Sequence, residues 1–102
     1  MAVSREVIQS PLYQGVDEQI YYSITTTPWG STPTSIAVVA YDEATNADVS
    51  ATVLSGSASA TGDVITLPIV KALTVLHNYR IEVKFTSAAS NIVEAYFRLL
   101  CR

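Results

Sequence analysis

Apolar and polar residues alternate with a period of two along most of the chain, and no helical periodicity extends beyond a turn or two. The clearest example is the segment NYRIEVKFTS at residues 78–87, which places Tyr79, Ile81, Val83 and Phe85 on one face. Successive side chains of a β-strand point to opposite faces, so this pattern predicts a half-buried strand. The chain is therefore expected to be all-β.

Seven such segments are separated by turns rich in Pro, Gly, Asn and Ser. They cover residues 4–10, 18–27, 35–42, 48–56, 63–68, 78–87 and 92–101. After the fifth segment, Pro68 permits one tight turn. Short strands at this spacing predict a single antiparallel seven-stranded sandwich, with residues 1–102 forming one domain. Within it, residues 1–15 are expected to form an N-terminal arm or an edge strand.

Leu73 lies six residues before Tyr79, and Tyr79 begins the sixth predicted strand. This spacing resembles that of immunoglobulin-like and fibronectin type III-like sandwiches. In those folds the tyrosine hydroxyl bonds to the backbone a few residues upstream, and the leucine fills the bottom of the core. Val75 and His77 stand where the fibronectin pattern usually has proline and threonine, and paired cysteines are absent. The resemblance implies a structural corner of Leu73 and Tyr79, and no antibody-like function.

The charge and the cysteine content narrow the range of partners and compartments. Six Lys and Arg residues stand against nine Asp and Glu residues, giving a formal net charge of −3. Scattered basic residues in an acidic chain are a poor match for a phosphate backbone, so no nucleic-acid partner is expected. The one cysteine cannot form an internal disulfide, and no apolar run is long enough to cross a membrane. We expect a product made in the bacterial cytoplasm that is either unexported or released without a signal peptide, with no membrane partner.

The candidate chemical residues do not assemble into a reaction site. His77 is the only histidine, and the sequence around it supplies no nucleophile and no second metal ligand. It is interpreted as a surface turn residue, and Cys101 as a buried or half-buried small hydrophobe. The neighbouring acids Asp17–Glu18 and Asp42–Glu43 are interpreted as solvated loop charges. We expect no catalytic, cofactor-binding or metal-binding residues, and hence no enzyme.

Three aromatic residues are candidates for partner binding. Trp29 lies in the loop TTTPWGSTP, where an exposed indole would anchor a partner or stack on a sugar. The alternative is that Trp29 folds down as a lid on the core, which the usual burial of tryptophan favours. Tyr41 and Tyr96 belong to the third and seventh strands, both of which are apolar on both faces. A sandwich buries only one face of each strand, so the outer faces are expected to pack on something else.

Much of the chain resembles short virion proteins of tailed phages and prophages that have an immunoglobulin-like sandwich. The similar segments are SREVIQSPLYQGVDEQIYYSITTTPWG, ADVSATVLSG, GDVITLP and ALTVLHNYRIEVKF. The resemblance implies a capsid-decoration, neck or tail component of the virion that binds copies of itself or a capsid or tail protein. A homo-oligomer is then expected in the assembled particle. The alternative is a carbohydrate-binding or host-adaptor module that uses the Trp29 loop.

Overall fold

The computed structural model describes residues 12–27 and 29–102, and every structural statement below refers to these ranges. This part of the chain is mostly β-structure, so the all-β prediction is confirmed. One helical turn, α1, covers Ser50–Val53. The strands are β1 Leu12–Gln14, β2 Ile20–Thr25, β3 Thr34–Asp42, β4 Ala47–Asp48, β5 Leu54–Ser55, β6 Ser59–Thr61, β7 Val64–Val70, β8 Asn78–Thr86 and β9 Ile92–Cys101.

The strands form two sheets. The five-stranded sheet has the order β1-β9-β8-β3-β4, and the four-stranded sheet has the order β2-β7-β5 with β6 also paired to β7. All pairs are antiparallel except β1 and β9, which run parallel with Leu12 opposite Leu99 and Gln14 opposite Cys101. The prediction of seven antiparallel strands is therefore wrong in two respects: nine strands are present in the described chain, and one sheet is mixed.

The inner faces of the two sheets meet in one hydrophobic core. In β8 the alternation is complete, with Ile81, Val83 and Phe85 buried and the residues between them more exposed. From the other sheet, Ile65 and Leu67 of β7 complete the same cluster. Burial of apolar surface of this kind is the main driving force for folding. The predicted sixth and seventh strands are confirmed as β8 and β9.

Pro68 lies inside β7 and begins no tight turn, contrary to prediction. The strand tolerates a residue without an N–H because its pairing with β2 shifts there: Tyr21 is opposite Ile69, whereas Ser23 is opposite Thr66. Leu67 and Pro68 thus face a single residue of β2, which is the definition of a β-bulge. A bulge is one of the few places where proline fits within a sheet.

The predicted fourth strand, residues 48–56, is also wrong. The chain pairs briefly as β4, makes the helical turn α1, and resumes as β5 in the other sheet. Side-chain hydrogen bonds fix this crossing: the Ser50 N–H donates to Asp48 Oδ1 at 2.9 Å, and the Ala40 N–H donates to Ser50 Oγ at 2.9 Å. Local bonds of this type compete with the sheet ladder and favour turns.

The first predicted strand, residues 4–10, lies outside the described residues. Whether residues 1–15 act as an arm stays a prediction, although β1 itself occupies an edge of the five-stranded sheet. No helix in the described ranges has the length and apolar character needed to cross a membrane.

Candidate functional site

The outer face of the five-stranded sheet carries a cluster of tyrosine, arginine and glutamate side chains. Since alternate residues of β8 point outward, its charged residues lie between the outward tyrosines of β3 and β9. Tyr41 and Arg98 are each directly opposite Arg80, and Tyr96 is opposite Glu82. This cluster is called the Tyr–Arg face below and consists of Tyr41, Glu43, Arg80, Glu82, Tyr96 and Arg98.

Two ion pairs orient the arginines of this face. Arg80 Nε donates to Glu82 Oε2 at 2.8 Å, and Arg98 Nε donates to Glu43 Oε1 at 3.0 Å. Arg80 and Arg98 are like charges on directly opposed positions, which is unfavourable unless each is neutralised. Both pairs are partly buried, and each neutralises its arginine and restricts the orientation of the guanidinium group.

Arg80 also contacts an aromatic ring. Its guanidinium carbon lies 5.2 Å from the ring centroid of Tyr41, within the range of a cation–π interaction. One of its terminal nitrogens donates to Asn46 Oδ1 at 3.4 Å. Arg80 is therefore held by the Glu82 carboxylate, the Asn46 amide and the Tyr41 ring. The same contact restricts the position of the Tyr41 ring.

The side chains of Glu43, Arg80, Glu82, Tyr96 and Arg98 line a shallow, solvent-open depression of about 360 Å³. Its two arginines and two glutamates balance, so it does not concentrate one sign of charge for a small ion. Tyrosine and arginine are enriched in protein–protein interfaces, where they supply much of the binding energy. The depression therefore presents one tyrosine and two arginines beside two glutamates.

The outer face differs from the apolar surface that was expected. The third and seventh predicted strands are not neighbours, because the charged side chains of β8 run between β3 and β9. Leu100, two residues after Arg98 in β9, is only 8% exposed and adds no apolar surface. The outer faces of β3 and β9 were expected to be apolar, and the strand order instead makes them part of a mixed aromatic and ionic surface.

Leu73 and Tyr79 form a buried corner between the two sheets. They are 2% and 3% exposed, and both belong to the core. The Thr74 N–H donates to the Tyr79 hydroxyl at 2.8 Å, so the ring reaches back to the backbone five residues upstream. This is the contact expected of a corner tyrosine.

His77 is half-buried and paired, which corrects its interpretation as a simple surface turn residue. Its Nδ1–H donates to Asp42 Oδ2 at 2.8 Å, and its ring stacks on Tyr79 at a centroid distance of 6.3 Å. The bond from His77, helped by the Ala44 N–H, lowers the pKa of Asp42 below its ordinary value of 3.8, although burial opposes the shift. The pair ties the end of β3 to the corner before β8. Asp42 is therefore a structural acid and not the solvated loop charge that was expected.

Trp29 is half-buried and packs against the core. The N–H groups of Trp29 and Gly30 both donate to the Thr26 carbonyl at 2.8 Å, which makes the loop a tight turn. A Cβ atom on Gly30 would lie 2.5 Å from Ser87 Cβ, so only glycine allows this close approach. The indole thus packs against the core and is only partly exposed, which is closer to the expected lid than to a fully exposed anchor.

A buried glutamine that the sequence did not single out joins the two sheets. Gln14, 1% exposed, donates from Nε2 to the carbonyls of Glu18 and Val70 at 2.9 and 2.8 Å. Its Oε1 accepts from the Tyr22 hydroxyl at 2.7 Å. Burial of the ring, and secondarily the nearby Glu18 carboxylate, raise the pKa of Tyr22 to about 12. Every polar atom of the glutamine side chain is thus bonded, as burial requires.

The remaining chemical candidates show no reactive arrangement. Cys101 is fully buried, and burial raises the pKa of its thiol, although Arg102 partly opposes this. A thiol kept protonated and out of solvent is a weak nucleophile. No group of three His, Cys, Asp or Glu side chains within residues 12–27 and 29–102 is arranged to hold a metal ion.

The structure thus places Tyr41 and Tyr96 on the Tyr–Arg face, Leu73 and Tyr79 in the corner, and Trp29 against the core. The sequence analysis did not single out Arg80, which contacts Tyr41, or Arg98, which pairs with Glu43. The chain matches no protein-family model, and no curated protein matches it.

Proposed function

We propose that this protein is a non-enzymatic structural component of a tailed-phage or prophage virion that works by binding other proteins through its Tyr–Arg face. The observation that carries the proposal is the grouping of Tyr41, Tyr96, Arg80 and Arg98 on one outward sheet surface. Its partners are copies of itself or a capsid or tail protein, and its place is in the assembled particle.

The Tyr–Arg face is preorganised for binding. Both arginines are held by carboxylates and one of them also by a tyrosine ring, so little side-chain freedom remains to be lost. Immobilising a long side chain on association costs about 0.5–1.5 kcal/mol, and a face that is already ordered avoids part of that cost. The sheet beneath it is a rigid support of paired strands.

We further propose that the two sheets form an immunoglobulin-like sandwich. The corner contact of Tyr79, the burial of Leu73 and the shared core of the two sheets support this assignment. The resemblance of the chain to small phage virion proteins supports the location in a virion. A virion component that carries out no reaction contributes its shape and its binding surface to the particle. Two sheets packed on one buried core can supply both.

The proposal is tested by mass spectrometry of purified virions together with binding of the purified protein to capsid and tail proteins. We expect the protein in the particle and expect Tyr96→Ser combined with Arg98→Ser to abolish its incorporation. The control is Leu76→Ser, which removes a 72% exposed apolar side chain from the loop before β8, outside the Tyr–Arg face, and is expected to assemble normally. A protein missing from virions, or a double variant that folds and assembles like the wild type, contradicts the proposal.

The alternative, a carbohydrate-binding or host-adaptor module, depends on the Trp29 loop. The packing of the indole against the core leaves less of it for a sugar or a partner, so the alternative has weaker support. A glycan array that binds the wild type but not Trp29→Ala would favour it over the virion proposal.

A further inference from the structure

The four-stranded sheet has an outer face with no charge. None of the residues in β2, β5, β6 or β7 is charged. The cross-strand pairs Tyr21–Ile69, Ser23–Thr66 and Thr25–Val64 run along its centre, and serine and threonine flank them. This surface, called the uncharged face, consists of Tyr21, Ser23, Thr25, Ser55, Ser59, Thr61, Val64, Thr66 and Ile69.

The uncharged face exposes two of its three large side chains, and the third, Ile69, is half-buried. Tyr21 is 66% exposed and Val64 is 38% exposed. The opposite side of the molecule differs sharply, since charged residues line the outer face of the five-stranded sheet. Soluble proteins usually intersperse charges on exposed sheets, because a flat uncharged sheet invites packing against another one.

We propose that the uncharged face packs against the same face of a second copy of this chain. Two uncharged faces meet without removing any ion from water, which is the main cost of burying a polar surface. A twofold arrangement makes the two surfaces identical, so each copy provides the partner chemistry that the other requires.

The charges at the ends of β7 fit this arrangement. Asp63 directly precedes the strand, and Lys71 directly follows it. When two copies pack with their β7 strands antiparallel, Lys71 of one copy lies opposite Asp63 of the other at both ends. The Asp63 carboxylate accepts from the Thr27 hydroxyl at 3.2 Å and the Thr32 N–H at 3.0 Å, contacts that are exposed and leave lone pairs for a lysine.

The size of the face sets the strength of the association. β7 is seven residues long, which corresponds to roughly 20 Å, and its neighbours add about 5 Å for each strand. A surface of this size is below that of a standard stable interface, so the isolated chain is expected to dimerise weakly. If the Tyr–Arg face holds copies side by side in a particle, the raised local concentration would strengthen the contact.

Sedimentation velocity of the full chain tests the proposal, over a range from about 10 μM to about 1 mM that brackets weak dimerisation. We expect a reversible dimer whose dissociation constant rises at least about tenfold in Ser23→Glu, because the variant buries a charge in the contact. Ala37→Glu is the matched control: it adds the same charge to the outer face of the other sheet and is expected to dimerise like the wild type. A wild type that stays monomeric at the highest concentration, or two variants that weaken the dimer equally, overturns the proposal.

The antiparallel arrangement has its own readout. Two Lys71–Asp63 pairs make the wild-type dimer weaker at high salt, and Lys71→Gln is expected to remove most of that dependence. If Lys71→Gln keeps the full salt dependence, the end-to-end pairing is wrong. A dimer that is lost in Tyr96→Ser but kept in Ser23→Glu would assign self-association to the Tyr–Arg face instead. Because the two faces are tested by different variants, failure of one proposal does not imply failure of the other.

Discussion

Replacing Tyr22 by phenylalanine removes one hydroxyl from the buried connection between the two sheets. The Gln14 Oε1 atom then loses the hydrogen bond from the Tyr22 hydroxyl, while the two bonds from Gln14 Nε2 remain. A buried acceptor without a donor costs about 1–3 kcal/mol. We therefore expect Tyr22→Phe to lower the free energy of unfolding by that amount near neutral pH.

The size of this difference depends on pH in a predictable direction. The pKa of Tyr22 is raised in the folded protein from 10.0 to about 12, mainly by burial. A group whose pKa is raised on folding contributes its full stabilisation below its unfolded pKa and loses it as the pH rises through the folded value. Since one pKa unit corresponds to about 1.36 kcal/mol, the wild type should lose about 1.4 kcal/mol from this group between about pH 8 and about pH 11.

The assay is urea unfolding of both proteins at several pH values in this range. Other titrating groups are shared by the two proteins, so their contributions cancel in the difference between the free energies of unfolding. We expect the advantage of the wild type over Tyr22→Phe to narrow by about 1.4 kcal/mol at the higher pH. Ultraviolet absorbance of tyrosinate should also show that the late titration of Tyr22 in the folded wild type is missing from the variant.

Tyr21→Phe is the control, because Tyr21 is the neighbouring tyrosine and points outward, 66% exposed. It should leave both the stability and the late titration step unchanged. If the difference between the wild type and Tyr22→Phe is constant across the pH range, burial does not hold the Tyr22 proton, and the reasoning fails.

Three further predictions concern single positions. Thr26→Val should raise the free energy of unfolding by about 1 kcal/mol, because the Thr26 hydroxyl is buried and has no hydrogen-bond partner among residues 12–27 and 29–102. A lower free energy of unfolding in urea would mean that the hydroxyl is bonded. Gly30→Ala should lower the melting temperature and cost about 1–3 kcal/mol or more, because the added Cβ meets Ser87 at 2.5 Å; an unchanged melting temperature would show that the loop can shift. Asp42→Asn should cost about 1.5–3 kcal/mol at pH 7 by weakening the charged bond from His77. The pKa of Asp42 lies below 3.8 in the folded protein, so the stability advantage of the wild type over Asp42→Asn should persist above pH 3.8 and shrink as the pH falls below it. An equal advantage at pH 7 and in strong acid would contradict this prediction.

The sequence predicted the parts of the fold that depend on local alternation. β8 and β9 were found because their buried and exposed residues alternate regularly and turn residues flank them. The segment at residues 48–56 alternates less distinctly, and its path was decided by the hydrogen bond between Ser50 and the distant Ala40 N–H. A bond between residues ten positions apart leaves no periodic signal.

The sequence predicted some residues of the Tyr–Arg face but not their arrangement. Tyr41 and Tyr96 were selected as outward aromatic residues, but their surroundings depend on the strand order, which places β8 between them. The pairing of His77 with Asp42 joins residues 35 positions apart, so inspection of the residues around His77 could not reveal it. The role of Gln14 was likewise hidden, because its partners Tyr22 and Val70 belong to the other sheet.

The parallel pairing of β1 with β9 determines how the domain would respond to mechanical load. A force that pulls the N-terminal side of β1 away from the C-terminal end of β9 acts along both strands, in opposite directions. Because the strands are parallel, such a force shears their hydrogen bonds together instead of opening them one after another. Gln14 adds resistance at the same place, since its side chain fastens β1 to Val70 in the other sheet. Tension between these ends would therefore have to break the pairing of the three-residue strand β1 with β9 before it could disrupt the core.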